Sequence, residues 1–296
     1  MRILLTGKNG QLGRCFQDVL KNTSHELFAY GSAELNIADA PLVAAVVQQV
    51  KPDIIVNAAA YTAVDKAESD AEKVYLVNAT GPELLAKQAA VLNIPLVHVS
   101  TDYVFDGESV EPYLPSDKTN PQGVYGASKL AGERAVTAAC EKYIILRTAW
   151  VFSEYGSNFV KTMVRLAKER DELSVVADQY GCPTYAGDLA KAILRICEQH
   201  EQGKMQAWGV YHYCGDTPTS WHGFARAIFT KAELLGVIEK RPQLKAISSD
   251  QYPTPAKRPE YSVMKETSLA SYGVISSDWL SALDFIFKDC RCEPDQ

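Results

Sequence analysis

No run in this 296-residue sequence approaches the ~20 consecutive apolar residues that a membrane span requires. The largely apolar opening, Met1 to Thr6, stops at Gly7, too short for the hydrophobic stretch of a secretion signal. The expectation is a cytoplasmic chain with no membrane partner. Cysteine is sparse and scattered: seven residues, at 15, 140, 182, 197, 214, 290 and 292, with no C-x-x-C pair. An odd count at such spacing excludes a disulfide framework and a thiolate metal site, leaving reduced thiols. The five histidines (25, 98, 200, 212 and 222) form no H-x-x-x-H or H-x-x-E pattern, so no metal site is expected. Positive charge is also short. With 30 Lys and Arg against 36 Asp and Glu the net charge is −6, which argues against nucleic acid as a partner. A small anionic ligand remains compatible, since one local Arg or Lys can hold it.

What is present is an ordinary globular composition, 47% hydrophobic and 22% charged. A chain this long buries roughly three-quarters of its unfolded surface and needs no staples. Apolar runs and helical patterns alternate through the first half. Ile3–Leu5 reads as a strand and Gln11 to Lys21 as a helix; Leu27–Ala29 as a strand and Pro41–Val50 as a helix with proline at its start. Asp53–Val56 is a strand without polar alternation, the pattern of parallel strands covered on both faces. A helix over 66–92, interrupted near Gly81-Pro82, precedes a strand at Leu96–Val99, a helix at 125–140 and a strand at Tyr143–Leu146. This alternation predicts an α/β, doubly wound parallel-sheet Rossmann domain over 1–150. The remainder, 151–296, is expected to be mainly a smaller α/β substrate lobe, with some segments returning to the core. Its stretch 204–262 holds Trp208, Trp221, Tyr252 and five prolines and reads as irregular.

The first strand runs into Gly7-Lys8-Asn9-Gly10-Gln11-Leu12-Gly13, a G-x-x-G-x-x-G turn that opens a helix. The first glycine permits the turn, the second lets backbone approach a pyrophosphate, and the third lets helix pack against strand. Gly7, Asn9, Gly10, Gln11 and Leu12 are therefore the dinucleotide-binding candidates. An acid at the end of the second strand would bind a ribose 2′-hydroxyl and repel a 2′-phosphate. Ala29-Tyr30-Gly31-Ser32 has none before Glu34, which favours NADPH, with Ser32 or Lys8 on the phosphate and NADH as the alternative. Asp39 is a candidate for the adenine and equally for a helix cap before Pro41.

Tyr125 and Lys129 stand four residues apart, on one face of a helix. A tyrosine that titrates near ~10 is a poor proton relay at neutral pH, and a nearby ammonium favours the phenolate. The same lysine can hold a nicotinamide ribose. Ser100-Thr101, at the end of the preceding strand, supplies the third polar group, with Thr101 as the catalytic candidate. Gly loop, hydroxyl and Tyr-x-x-x-Lys, in this order, point to hydride transfer to a ketone.

These stretches resemble the extended short-chain dehydrogenase/reductases, and within them the dTDP-4-dehydrorhamnose reductase family. The similarity runs through TGKNGQLG (6–13), NAAAYTAVDKAE (57–68), VNAT (77–80), STDYVF (100–105) and YGASKLAGE (125–133). It continues through RTAWVF (147–152), NFVKTM (158–163), DQYGCPT (178–184) and AKRP (256–259), covering roughly residues 1–285. The resemblance implies reduction of the 4-keto group of a dTDP-4-dehydro sugar, in the service of polysaccharide synthesis. It implies Tyr125 as proton donor, Lys129 tuning that tyrosine and binding the ribose, and Thr101 on the substrate oxygen. Ala58, Ala59, Ala60 and Asn78 would line the cofactor; Val64, Asp102, Tyr103 and Trp150 would shape the sugar pocket; Arg258 would meet the diphosphate. Asp65 and Glu68 read as caps or ion pairs. Some members dimerise around a metal held by a Glu on the first helix, where this chain has Arg14-Cys15-Phe16-Gln17. The expected state is a monomer or weak homodimer without metal. Asp102-Tyr103 departs from the Asp-Glu that dehydratases of the superfamily carry. Another deoxysugar 4-ketoreductase, and a non-catalytic regulatory subunit like that of methionine adenosyltransferase, remain as alternatives.

Overall fold

The computed structural model describes residues 1–205, 207–265 and 269–289; Cys290 and Cys292 lie outside them. Six strands form one sheet: β1 (Arg2–Thr6), β2 (Glu26–Tyr30), β3 (Ile54–Asn57), β4 (Leu96–Thr101), β5 (Tyr143–Thr148) and, far along the chain, Gly209–His212. Between them run α1 (Gln11–Leu20), α2 (Ala40–Val50), α3 (Val64–Ala67), α4 (Ala71–Tyr75), α5 (Gly81–Leu92) and α6 (Val124–Ala139). After β5 come β6 (Val151–Phe152), α7 (Phe159–Glu169), β7 (Glu172–Val176), β8 (Tyr180–Gly181), β9 (Thr184–Tyr185) and α8 (Ala186–Glu201). The strand Gly209–His212 is then β10, followed by β11 (Thr219–Ser220), α9 (Trp221–Leu234), β12 (Gln243–Ile247) and α10 (Trp279–Asp289).

The sheet order is β10-β5-β4-β3-β1-β2 and every pairing within it is parallel. Strand order reverses between β1 and β3, the position where open α/β sheets bind ligands beyond the strands' carboxyl ends. β3 is buried at all four positions, as its unbroken apolar run requires. Ile3, Leu5, Ile54 and Val56 meet α1 and α8 on one face, whereas Leu4, Ile55 and Ile145 meet α2, α5 and α6 on the other. A further cluster, away from the sheet, packs Phe152, Val160, Leu173, Phe224, Ile228 and Leu283 from α7, β7, α9 and α10.

Two local expectations are corrected. The helix expected over 66–92 does not break at Gly81-Pro82: Pro82 sits in the first turn of α5, where its missing N–H costs nothing. The interruption falls at Glu68–Asp70, and Leu76–Thr80 forms one π-helical turn. The stretch 204–262, read as irregular, supplies β10, which pairs with β5 from Ile144 to Arg147. Four residues among glycines and aromatics are too few to declare a strand by pattern alone. The five described cysteines are buried, with no disulfide among the described residues. Among the described residues no helix is long and apolar enough to cross a membrane.

Candidate active site

The ends of β1 to β5 on the carboxyl side of the sheet each lead into a candidate part of the site. At β1, Gly7 takes φ +78°, a conformation glycine adopts freely. A Cβ there would lie 2.6 Å from the Ala59 nitrogen, so the loop is pressed against the backbone leaving β3. A Cβ on Gly13 would lie 2.1 Å from the Gly7 carbonyl oxygen, which fixes α1 close under the loop. Gly10, by contrast, is exposed with only that carbonyl 3.4 Å from its would-be Cβ. α1 has no side-chain N-cap and no acid in its first turn. The loop is thus shaped for backbone approach by a diphosphate, with the positive end of a ten-residue helix behind it.

The loop's side chains are less free than the motif suggested. Gln11 Oε1 accepts from Ser153 Oγ (3.1 Å) and Asn158 Nδ2 (3.0 Å), tying the loop to the segment after β6. Its contribution to an anion is therefore its backbone. Lys8 pairs with Glu34 at 2.6 Å, and Glu34 also accepts from the Gly31 N–H (2.9 Å). The acid missing from the end of β2 returns to that end by folding back. Asp39 is the N-cap of α2, accepting from the Leu42 N–H at 3.0 Å. The cap uses one oxygen of its carboxylate.

Beyond β3, Ala58, Ala59 and Ala60 are half-buried, and Asn57 is fully buried in a chain of bonds from Thr6 Oγ1 (2.7 Å) to His98 Nδ1 (3.0 Å). Asn78, in the π turn, bonds the Tyr61 backbone at both ends (2.8 and 3.1 Å) and Ser128 Oγ (3.0 Å). A Cβ on Gly132 would sit 2.1 Å from the Asn78 carbonyl, so α6 is held tight against this turn. Glu68 accepts from the Val124 N–H at 2.9 Å and so caps α6 from a neighbouring element. Arg258 Nη2 donates to Asp65 at 2.7 Å, across 193 residues of chain. Arg258 Nε is buried with no hydrogen-bond partner.

Thr101, at the end of β4, donates to Asp102 Oδ1 (2.9 Å) and receives the Tyr103 N–H (3.3 Å). It also hydrogen-bonds Tyr125, whose ring lies 5.5 Å from that of Tyr103 in an edge-to-face contact. Burial, with the charge of Asp102 adding to it, pushes the Tyr125 phenol up to about 12, and the Thr101 bond pulls the other way. Asp102 is 2% exposed; desolvation raises it to about 6, and Oδ2 has no partner. Lys129 is 1% exposed and donates to the Val99 carbonyl at 2.7 Å; burial pushes it down to about 8, against the pull of Glu133. Tyr125 and Lys129 share a helix face, and the ammonium donates to the β4 backbone, as a buried cation must satisfy its protons.

At the end of β5, Trp150 adopts φ +48°, a left-handed conformation that costs an aromatic residue of order 1–3 kcal/mol. The turn presses its indole onto Gly181, whose Cβ would lie 2.5 Å from it, and stacks it on Trp221 at 3.5 Å and 7°. Val64 is half-buried at the start of α3. Sequence reasoning missed Trp221, Asp65 as the partner of Arg258, and the buried pair Glu133–Arg147 (2.7 Å). The last could have been suspected from Glu133 standing one turn beyond Lys129 in an otherwise small-residue helix.

The RmlD substrate binding domain model matches residues 1–292. The chain belongs to the dTDP-4-dehydrorhamnose reductase family. It is 46% identical over 284 residues to the dTDP-4-dehydrorhamnose reductase of Aggregatibacter actinomycetemcomitans, covering 95% of this chain and 97% of that protein. The crystal structure of the Clostridium acetobutylicum reductase superposes with a TM-score of 0.90 at 39% identity, over 98% of this chain and all of that one (100%). The Bacillus anthracis reductase, solved in complex with NADP, superposes with a TM-score of 0.90 at 37% identity, over 97% and 99% of the two chains. A UDP-glucose 4-epimerase of Thermus thermophilus and a dTDP-glucose 4,6-dehydratase of Streptomyces venezuelae, both solved with NAD bound, share the fold at under 20% identity.

Proposed function

We propose that this protein reduces the 4-keto group of dTDP-4-dehydro-L-rhamnose to the hydroxyl of dTDP-L-rhamnose, with NADPH as reductant, in the cytoplasm. One arrangement carries the reading: Thr101 at the end of β4 meets Tyr125 and Lys129 of α6, in a member of this family whose first strand runs into a glycine loop built for a diphosphate. The residues present fit the cofactor: Gly10 is open at the surface of the loop, α1 stands behind it with no acid in its first turn, and Lys129 would hold the ribose. The nicotinamide supplies the hydride. Tyr125 supplies the proton from its O–H to the C4 oxygen, and Thr101 fixes that oxygen against the phenol. A phenol near 12 is fully protonated at neutral pH and so arrives as a donor. Lys129, once its ammonium leaves the Val99 carbonyl for the ribose, comes within reach of the developing phenolate. Asp102, Tyr103, Val64 and Trp150 frame the sugar, and Arg258 holds the diphosphate with the fork that Asp65 orients.

The test is oxidation of NADPH in the presence of dTDP-4-dehydro-L-rhamnose, followed by loss of nicotinamide absorbance and identification of the product, with NADH run in parallel. Substrate-dependent oxidation yielding dTDP-L-rhamnose supports the reading. Tight NADPH binding without turnover would direct the search to another keto-sugar or to a regulatory role.

A further inference from the structure

The glycine loop after β1 and the end of β2 are joined into one surface. The Lys8 N–H donates to the Tyr30 carbonyl at 3.1 Å, and the Lys8 ammonium reaches Glu34 at 2.6 Å. Glu34 also accepts from the Gly31 N–H at 2.9 Å, while its own N–H donates to the Gly31 carbonyl at 3.1 Å. This turn, Gly31 to Glu34, carries a carboxylate back to a strand end that the sequence leaves without an acid. Lys8 and the Gly31 N–H hold the Glu34 carboxyl below its usual range, so it is an anion at neutral pH. The two side chains are 27% and 49% exposed, and an ion pair so open to solvent adds little to stability.

Its place explains it better. In a sheet of this order a dinucleotide lays its diphosphate over the start of α1 and its adenosine ribose against the end of β2. An acid about twenty residues beyond the glycines there takes the ribose 2′-hydroxyl, whereas a cation accommodates a 2′-phosphate. This chain brings both to one point. Ser32 beside them is exposed and uncharged, so it serves either ligand. A 2′-hydroxyl donates to the carboxylate and leaves the ion pair standing. A 2′-phosphate must draw the ammonium off Glu34 and then lie beside a carboxylate that has lost its partner.

We propose that Lys8 and Glu34 are the specificity-determining pair of the cofactor site: Glu34 takes the 2′-hydroxyl of NADH, and Lys8 takes the 2′-phosphate of NADPH only by releasing Glu34. NADPH is thus bound against the repulsion of that carboxylate, and NADH with its help. This rests on the reading of the glycine loop as a dinucleotide site and not on which sugar is reduced.

The experiment measures NADP⁺ and NAD⁺ affinities by calorimetry, without sugar, for the parent, Glu34→Gln and Lys8→Gln. Glu34→Gln removes the charge and keeps an oxygen for the Gly31 N–H. NADP⁺ should then bind at least about fivefold more tightly, the worth of one unit-charge contact in water, and NAD⁺ no more tightly than before. Lys8→Gln leaves Glu34 unopposed, so NADP⁺ should bind about tenfold more weakly while NAD⁺ stays within about threefold. Comparing the two dinucleotides cancels general damage to the loop, which would weaken both alike. A ratio of affinities in Glu34→Gln within about twofold of the parent's overturns the proposal, as do equal losses of both dinucleotides in Lys8→Gln. A parent that binds both dinucleotides but reduces no sugar fails the substrate reading alone, and the ratios still decide this one.

Discussion

Replacing Tyr125 by Phe removes a single oxygen, and the structure indicates what else must not change. The ring keeps its edge-to-face contact with Tyr103, 5.5 Å away, and Lys129 keeps its 2.7 Å bond to Val99, since that bond never involved the phenol. Thr101 loses one partner but retains Asp102 at 2.9 Å, so the stability cost should stay near that of one hydrogen bond, about 1 kcal/mol. Cofactor affinity should change by less than about threefold, because the residue that holds the ribose is untouched. The chemical step should slow by about 10²–10⁴, or roughly 3–5 kcal/mol of barrier, the usual worth of a positioned general acid. The assay is single-turnover oxidation of bound NADPH by the keto-sugar, with the melting temperature and NADP⁺ affinity measured on the same sample. A folded, cofactor-binding Tyr125→Phe protein that reduces the sugar within threefold of the parent rate would refute Tyr125 as the proton source. A protein that no longer binds NADP⁺ would instead show that the phenol anchors the cofactor.

Two other outcomes follow from specific geometry. Gly13→Ala places a methyl 2.1 Å from the Gly7 oxygen and 2.9 Å from the Gly7 carbonyl carbon and Lys8 Cα, all backbone. It should lower stability by about 1–3 kcal/mol and weaken NADP⁺ binding at least tenfold; an unshifted melting temperature would mean the loop yields. Asp102, raised from 3.8 to about 6, binds a proton more tightly folded than unfolded. It therefore contributes stability that is full below pH 3.8 and lost as pH rises to about 6, at most about 3 kcal/mol. Asp102→Asn should remove that fall, so parent and variant stability measured by urea unfolding at pH 4 and pH 7 should differ in slope. Parallel slopes would mean Asp102 finds water or a partner when ionised.

The glycine turn was legible because its glycines recur at fixed spacing directly after a strand and at the start of a helix, a mark that is local in the sequence. The strand β3 was legible because burial on both faces forbids polar alternation. Tyr125 and Lys129 were legible as a pair through helical spacing, but their relation was not. The direction of the ammonium depends on a carbonyl of β4, thirty residues earlier in the chain. β10 was hidden by its shortness, and the packing of α8 on α1 by its distance along the sequence. Asp65 announces nothing about Arg258, since an ion pair spanning 193 residues has no periodicity to betray it. Nor does Trp150 signal its left-handed backbone, which is imposed by Gly181 and Trp221 rather than chosen by tryptophan.

That indole pair has an optical consequence. Two of the four tryptophans in the chain lie face to face at 3.5 Å, close enough for their transitions to couple and absorb as one chromophore. One ring hangs from the end of β5 and the other opens α9, so the coupling measures the spacing between the sheet and the helices beyond it. The protein carries its own gauge of any rearrangement there, readable as a circular dichroism couplet without a label.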